Sequence, residues 1–77
     1  MVTITGVLPK SRAFSAGLRE GDILLEINGR TIKDVLDYRF HLAAEKVVLK
    51  VHRGADVLDF TINKSEYDDI GLEFATP

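Results

Sequence analysis

The chain lacks the residue types from which many small domains build a covalent or metal-held framework. Its 77 residues include no cysteine, which excludes disulfide bonds, thiolate zinc sites and iron–sulfur clusters within these residues. The two histidines, His41 and His52, are isolated, and no second histidine stands at metal-ligand spacing. We therefore expect no metal and no cofactor in this chain. Its stability must come from packing alone, and the absence of cysteine fits a reducing compartment.

The sequence also has no excess of basic residues and no long apolar run. Its formal net charge is −2 at pH 7, so it carries no basic footprint and nucleic acid is not an expected partner. The first residues, Met1–Gly6, contain no basic cluster. We expect neither a signal peptide nor a membrane-spanning segment, and hence no membrane partner. If Met1 is the natural start, the expected location is cytoplasmic.

No constellation of catalytic side chains stands out. The hydroxyl-bearing residues stand at spacings that suggest no nucleophile–base pair, and there is no glycine-rich phosphate loop. Asp68 and Asp69 could be an acid pair, but adjacent carboxylates on a turn are more often solvated or cap the next element. Asp37, Tyr38 and Arg39 are interpreted as a solvated helix face with Tyr38 at its edge. This chain alone is therefore predicted not to be an enzyme.

What is present fits one small globular domain, predicted over residues 1–77. The hydrophobic fraction of 45% is too high for a disordered chain. Apolar patterning and turn residues predict strands alternating with a short and a longer helix. This order indicates an α+β domain in which a partly open antiparallel sheet is closed by two helices. The predicted strands and extended segments are Val2–Leu8, Ile23–Ile27, Arg30–Ile32, Val47–Val51, Val57–Ile62 and Ile70–Phe74.

The helices are predicted from capping residues and helical periodicity. Ser11 caps a short turn, which Gly17 closes in a left-handed conformation. Asp34 caps a longer helix over roughly Val35–Glu45. The apolar face of this helix is predicted to contain the residues at helical spacing, Leu36, Phe40, Ala43 and Val47.

Three turns are predicted between these elements. Asn28-Gly29 is the strongest turn dipeptide in the chain, because both residues tolerate positive φ. Arg53–Asp56 is predicted to be a hairpin turn between two strands. Arg19–Asp22 is predicted to be a turn on the surface. The polar segment Ser65–Asp69 is expected to be a loop that leads to the last strand.

The segment from Ala16 to Gly29 contains a motif made of three short sequences at fixed spacing. Ala16-Gly17-Leu18 is followed by Gly21-Asp22 and then by an apolar strand that ends in Asn28-Gly29. Together with the upstream segment Val7–Ser11, this pattern closely resembles the PDZ domain family. The resemblance implies a small, partly open antiparallel β-barrel or sandwich capped by two helices. It also implies a non-catalytic module that binds an extended peptide or a protein C-terminus.

The order of the segments differs from that of common animal PDZ domains. Those domains begin with a strand and a G-L-G-F loop that holds the ligand's carboxylate. This chain begins after that point, and Asp59–Lys64 with Gly71–Phe74 resemble the missing strand and loop, moved to the end. The sequence is therefore similar to circularly permuted PDZ domains of the bacterial type. Such a permutation is physically easy, because the termini of compact domains are often close together.

The resemblance implies a peptide-binding groove between the last strand and the longer helix. An exposed strand edge would pair with the ligand, and backbone amides of the preceding loop would hold its carboxylate. Leu72 and Phe74 point the same way, because side chains alternate along a strand. The alternative is that both are core residues that join this domain to the next. The predicted binding residues are Gly71, Leu72, Glu73, Phe74, Asp37, His41 and Ala44.

Glu73 stands where the family usually has glycine. A carboxylate beside a bound carboxylate is repulsive, by about 1 kcal/mol when solvent-exposed. Lys64 could offset this repulsion. The expected partner is therefore an extended peptide, a protein C-terminus or a neighbouring domain of the same chain, and Glu73 favours an internal segment or a domain over a free C-terminus.

A narrower resemblance concerns the protein to which the domain belongs. Met1, Asp37–Phe40 and Asp69–Phe74 together resemble the N-terminal PDZ-like domain of a bacterial radical-SAM-type iron–sulfur protein family, in which an iron–sulfur domain follows. The alternative is the regulatory PDZ domain of a bacterial serine, C-terminal-processing or membrane-embedded metalloprotease. Clustered cysteines beyond Pro77 would favour the first parent, and a protease signature would favour the second.

Overall fold

The chain forms six strands and two short helices within residues 1–75, the part that this computed structural model describes. The predicted domain, 1–77, runs two residues beyond the described part. This is the α+β class that the sequence predicts. The strands are β1 (Val2–Val7), β2 (Ile23–Ile27), β3 (Arg30–Thr31), β4 (Lys46–Arg53), β5 (Asp56–Asn63) and β6 (Leu72–Phe74), and the helices are α1 (Arg12–Ala16) and α2 (Val35–His41).

All strand pairs are antiparallel, and the sheet runs in the order β5-β4-β2-β1-β6, with β3 paired to β2. The last strand lies beside the first, with Leu72 opposite Val7 and Phe74 opposite Ile4. The sequence predicts a strand at the end of the chain, and this pairing identifies its partner. The strand order leaves β5 and β6 at its two ends, while β3 pairs with β2 alone.

The core is made by the inward faces of the strands and closed by α1 and α2. In β4, Val47, Leu49 and Val51 are fully buried while the residues between them, Val48 and Lys50, are only partly covered, as expected for a strand with one face on the core. Each fully buried aliphatic side chain of this kind stabilises the fold by about 1.5–3 kcal/mol relative to its exposed state. Ile70 and Leu72 also lie in this core, so the end of the chain is part of the folded domain.

The predicted caps and turns are present. The Ser11 hydroxyl accepts a hydrogen bond from the Phe14 N–H at 3.1 Å, and the Asp34 carboxylate accepts one from the Asp37 N–H at 2.8 Å. Asn28 and Gly29 have φ values of 51° and 79° and connect β2 to β3 as a two-residue hairpin. Two successive positive φ values are typical of a type I′ turn.

The predicted extent and face of the longer helix are wrong. The helix ends at His41, well before Glu45. Phe40, predicted on the buried face, is 76% exposed, whereas Tyr38, predicted at the edge of a solvated face, is 2% exposed. The physical reason is that the side of the helix carrying Tyr38 packs on the sheet, where the Tyr38 and Phe74 rings meet with centroids 4.6 Å apart.

The predicted surface turn Arg19–Asp22 contains a buried carboxylate. Asp22 is 1% exposed and forms a two-pronged ion pair with Arg53, whose Nε and Nη2 each donate at 2.8 Å. Arg53 Nη2 also donates to the Gly17 carbonyl at 2.9 Å. The pair therefore ties the end of β4 to the segment between α1 and β2, and a buried charge of this kind requires such a partner.

Candidate functional site

An open cleft of about 370 Å³ lies between β6 and α2. On its strand side, β6 pairs with β1 only, within the described residues, and its second edge is not covered by a strand. On its other side stands the face of α2 that packs on the sheet. The lining residues are Val35, Tyr38, Arg39, Asp69, Leu72, Glu73, Phe74 and Ala75.

The floor of the cleft is apolar. Leu72 is buried and Phe74 is half-buried, and both lie on the same side of β6 because strand side chains alternate. The Phe74 ring meets the Tyr38 ring edge-on, with an interplanar angle of 62°, an arrangement that aromatic pairs prefer. Val35 adds a half-buried aliphatic group from the first turn of α2. The cleft can therefore accept apolar side chains of an extended segment.

The Tyr38 hydroxyl is buried and has no hydrogen-bond partner within the described part of the chain. Burial raises the pKa of Tyr38, and the nearby Asp69 carboxylate raises it further. The phenol therefore stays protonated throughout the physiological range. An unpaired buried donor is costly, so the hydroxyl reduces the stability that the buried ring contributes.

The loop that leads into β6 is tied to the rest of the domain by its own backbone. The Ile70 carbonyl accepts from the Ala13 N–H, and the Gly71 carbonyl accepts from the Leu8 N–H, both at 2.9 Å. These bonds place the end of the loop against the start of α1. The loop is therefore a fixed wall of the cleft and holds β6 in register with β1.

Gly71 is required at the junction of this loop and β6. Its φ is +92°, a conformation that side-chain-bearing residues rarely adopt. A Cβ at this position would also lie 2.6 Å from the Ser11 hydroxyl oxygen. Glycine is therefore needed for both conformation and space, which accounts for Gly71 within the G-L-E-F segment.

The predicted binding residues separate into two groups. Leu72, Glu73 and Phe74 line the cleft, and Gly71 directly precedes them. These four residues are consecutive in the chain, so their sequence alone predicts that they lie together.

The three predicted residues from the helix region lie outside the lining of the cleft. The Asp37 carboxylate accepts from the Lys33 N–H at 2.9 Å and thus braces the start of α2. His41 and Ala44 line a separate depression beside Phe40, whose ring lies 5.0 Å from that of His41. His41 lies outside because the rotation of α2 that brings Tyr38 inward carries His41 away from the cleft. Ala44 lies beyond the end of the helix at His41.

Five lining residues were not among those predicted. Val35, Tyr38 and Arg39 follow the i, i+3, i+4 spacing of a single helix face, so testing every face of the helix could have found them. Asp69 and Ala75 flank the predicted segment Gly71–Phe74. Their position follows from the bend of the loop, for which the sequence offers no clear signal.

Within residues 1–75, no three histidine, aspartate or glutamate side chains come together in a group that could hold a metal ion. Among the same residues, no helix is long and apolar enough to cross a membrane.

An exposed strand edge beside a helix, with a fixed loop at one end, defines a class of domain that takes extended peptides by strand addition. A sequence model described as the PDZ domain matches residues 3–53. The chain belongs to the PDZ domain family, which in general is a non-catalytic, peptide-binding module. The matched range covers β1 to β4, whereas the loop and strand that form the cleft lie beyond it.

Three curated proteins are similar to this chain, and all three are named as proteases. The putative zinc metalloprotease CPE1693 of Clostridium perfringens is 35% identical over 79 residues, covering 94% of this chain and 24% of that protein. The magnetosome formation protease MamE of Paramagnetospirillum magneticum is 38% identical over 66 residues, covering 79% and 9%. The probable serine protease do-like of Buchnera aphidicola is 31% identical over 83 residues, covering 91% and 17%.

The chain therefore spans a quarter or less of the length of these relatives. The PDZ resemblance noted in the sequence is confirmed by the family match. The narrower resemblance to an iron–sulfur protein family is not supported, because the relatives are named as proteases. They favour the protease alternative.

Proposed function

We propose that this domain binds an extended polypeptide segment in the cleft between β6 and α2, as an additional strand on β6. The observation that carries the proposal is the second edge of β6, which is not covered by a strand and stands across an apolar floor from the helix. Main-chain hydrogen bonds along such an edge supply affinity, and the pockets for alternate side chains supply specificity. The cleft is at the small end of the range for ligand sites, so we expect weak binding of a few residues.

We further infer that the domain serves as a regulatory module of a bacterial protease. The support is that all three relatives reported above carry protease names, and that two of them align over more than nine-tenths of this chain. In such a protein the cleft would hold a substrate segment or a segment of the protease itself. Docking within an iron–sulfur enzyme is the second candidate, and it stands on the sequence resemblance alone.

The reading frame around this segment separates the two parents. A serine–lysine or serine–histidine signature, or an H-E-x-x-H motif, would support the protease. Clustered cysteines with no protease signature would overturn it in favour of the iron–sulfur enzyme. Neither outcome affects the proposal that the cleft binds peptides, which rests on geometry.

Peptide binding is tested by an NMR titration with short peptides that carry apolar residues at alternate positions. We expect amide shifts at Val35, Tyr38, Leu72 and Phe74 that saturate with added peptide. Shifts confined to the hairpin Arg53–Asp56 would overturn the assignment of the cleft.

A matched pair of variants sharpens this test. Val35→Glu places a charge in the cleft, whereas Val57→Glu places the same charge on β5, where the side chain is 56% exposed. We expect the first change to weaken binding by roughly ten-fold or more, since a desolvated charge is costly, and the second to leave it unchanged. Equal effects of the two changes would contradict the proposal.

A further inference from the structure

The loop end of the cleft has a distinctive set of charges. The loop's lysine, Lys64, is 9% exposed. Its ammonium donates to the Ser65 carbonyl at 3.1 Å and to the Glu66 carbonyl at 2.8 Å. The group is therefore committed to the interior of its own loop, where it holds the turn. It does not offset negative charge in the cleft, the role that the sequence suggested for it.

An acidic side chain stands at this end of the cleft. The Asp69 carboxylate lines the cleft and accepts a hydrogen bond from the Gly71 N–H at 3.2 Å. A backbone amide at the entry of β6 is thus already occupied by a carboxylate of the protein itself. A second carboxylate brought to the same place would meet a like charge and find this donor taken.

Glu73 adds negative charge at the rim. Its side chain lies over Gly6 of β1, on the side of the sheet opposite to Leu72 and Phe74, so close that a Cβ on Gly6 would collide with the carboxylate. Arg39 is the cationic residue of the lining, and it stands on the helix side. The lining therefore contains two acidic residues and one basic residue, and the Glu73 carboxylate points away from the cleft floor.

We infer that the cleft disfavours a free C-terminal carboxylate at its loop end and takes an internal segment that places a lysine or arginine side chain there. This inference rests on the proposed peptide binding in the same cleft. The apolar floor holds the alternate side chains of the segment, and Asp69 supplies the negative partner for the cation. Glu73 contributes less, because its carboxylate lies on the other side of the strand.

The test uses three sets of N-acetylated hexapeptides with valine, leucine, isoleucine or phenylalanine at alternate positions. The first set ends as the free acid and the second as the carboxamide. The third continues past the last apolar residue with lysine, serine and a carboxamide. Dissociation constants are measured by NMR titration at low and at moderate salt, followed at the amides of β6.

We expect the carboxamide to bind about five-fold more tightly than the acid at low salt, the factor that corresponds to a like-charge repulsion of about 1 kcal/mol. The lysine-extended set should bind most tightly. Both differences should shrink as salt screens the charges.

Variants locate the source of the preference. Asp69→Asn should reduce the preference for carboxamide over acid, and Glu73→Gln should reduce it by a smaller factor. Asp59→Asn is the matched control, because it removes the same charge from an exposed position on β5, the opposite edge. It should leave the preference unchanged.

The outcomes are distinguishable. Tighter binding of the free acid, or equal effects of Asp69→Asn and Asp59→Asn, would overturn the inference and leave peptide binding standing. Absence of saturable binding by all three sets would overturn the proposed function and this inference with it.

Discussion

The buried carboxylate of Asp22 is held by three hydrogen bonds, two from the Arg53 guanidinium and one from the Arg19 N–H at 3.0 Å. Burial raises the pKa of Asp22, but the hydrogen bonds and the charge of Arg53 outweigh burial, so the pKa lies below its ordinary value of 3.8. The aspartate of the Gly21-Asp22 pair thus has a structural role, since it fastens the segment before β2 to the end of β4.

This shift of the Asp22 pKa makes the stability depend on pH. The folded-state pKa lies below the unfolded one, so the contribution is fully present above about pH 4–5 and is lost as pH falls through the folded-state value. Asp22→Asn should lower the free energy of unfolding by roughly 2–4 kcal/mol at pH 7 and flatten its acid dependence. Urea titrations between pH 2 and 7 would show this, with exposed Asp59→Asn as the control. Equal slopes for Asp22→Asn and wild type would contradict it.

The Asn28-Gly29 turn allows the free-energy cost of a strained backbone to be measured without any steric clash of the side chain. Gly29 has a φ of 79°, and nothing lies within 4 Å of a Cβ placed on it. A side chain there therefore meets open space, and only the backbone is strained. Gly29→Val should cost more than roughly 1 kcal/mol, because a β-branched residue is an outlier at positive φ. Gly29→Asn should cost less. An unchanged denaturation midpoint for the valine variant would show that the turn tolerates it.

At the scale of elements, the sequence of the short helix α2 does not reveal which of its faces is buried. Two faces of the helix are similarly apolar. The predicted buried face carries Leu36 and Phe40, whereas the observed one carries Val35, Tyr38 and Leu42. Periodicity alone cannot choose between them. The choice is made by tertiary contact, through the packing of Tyr38 on Phe74. Elements with local signals, such as the caps and the Asn28-Gly29 hairpin, were predictable from sequence.

The same limit explains what was missed in the site. The apolar alternation of Leu72 and Phe74 predicted half of the cleft, because that signal is local. The local sequence predicts a surface position for Asp22, because the partner that allows its burial, Arg53, lies 31 residues away along the chain. The predicted strand Ile70–Phe74 is shortened to Leu72–Phe74 by the positive φ of Gly71, although Ile70 is fully buried.

Substitutions on the two faces of α2 should differ strongly in their effect on stability. Tyr38→Ala removes a buried aromatic ring and should cost about 3 kcal/mol of unfolding free energy. Phe40→Ala removes a ring that is 76% exposed and should change it by less than about 0.5 kcal/mol. Tyr38→Phe, which removes only the unpaired hydroxyl, should be neutral or stabilising. Denaturant unfolding compares the three, and a larger loss for Phe40→Ala than for Tyr38→Ala would contradict the observed face.

The last strand should be essential to the fold. Truncation after Asp69 removes the buried side chains of Ile70 and Leu72 and the pairing of β6 with β1. Each buried side chain is worth about 1.5–3 kcal/mol, so this chain should unfold or melt far below the full one. A chain ending at Ala75 keeps β6 and should melt near the full one. Thermal unfolding and the dispersion of the amide spectrum are measured for both chains. A native spectrum for the chain that ends at Asp69 would refute the role of β6.

At the scale of the whole molecule, the first and last strands pair with each other, and this pairing forms one side of the cleft. The first strand supplies the partner that holds β6, and the last segment supplies the loop and the exposed edge. The helix that faces this edge comes from the middle of the chain. The family match covers the scaffold up to Arg53, while the cleft is completed by residues beyond it, so the part of the chain that shows the family does not include the segment that completes the cleft.

Amide hydrogen exchange with and without peptide tests strand addition on β6 most directly. The account predicts that a saturating lysine-extended peptide slows exchange at one or more amides of Leu72–Phe74, because a new strand pairs with their edge. The amides of β5, the other edge strand, should exchange at the same rate with and without peptide. Protection on β5, or none on β6 at saturation, would contradict the account.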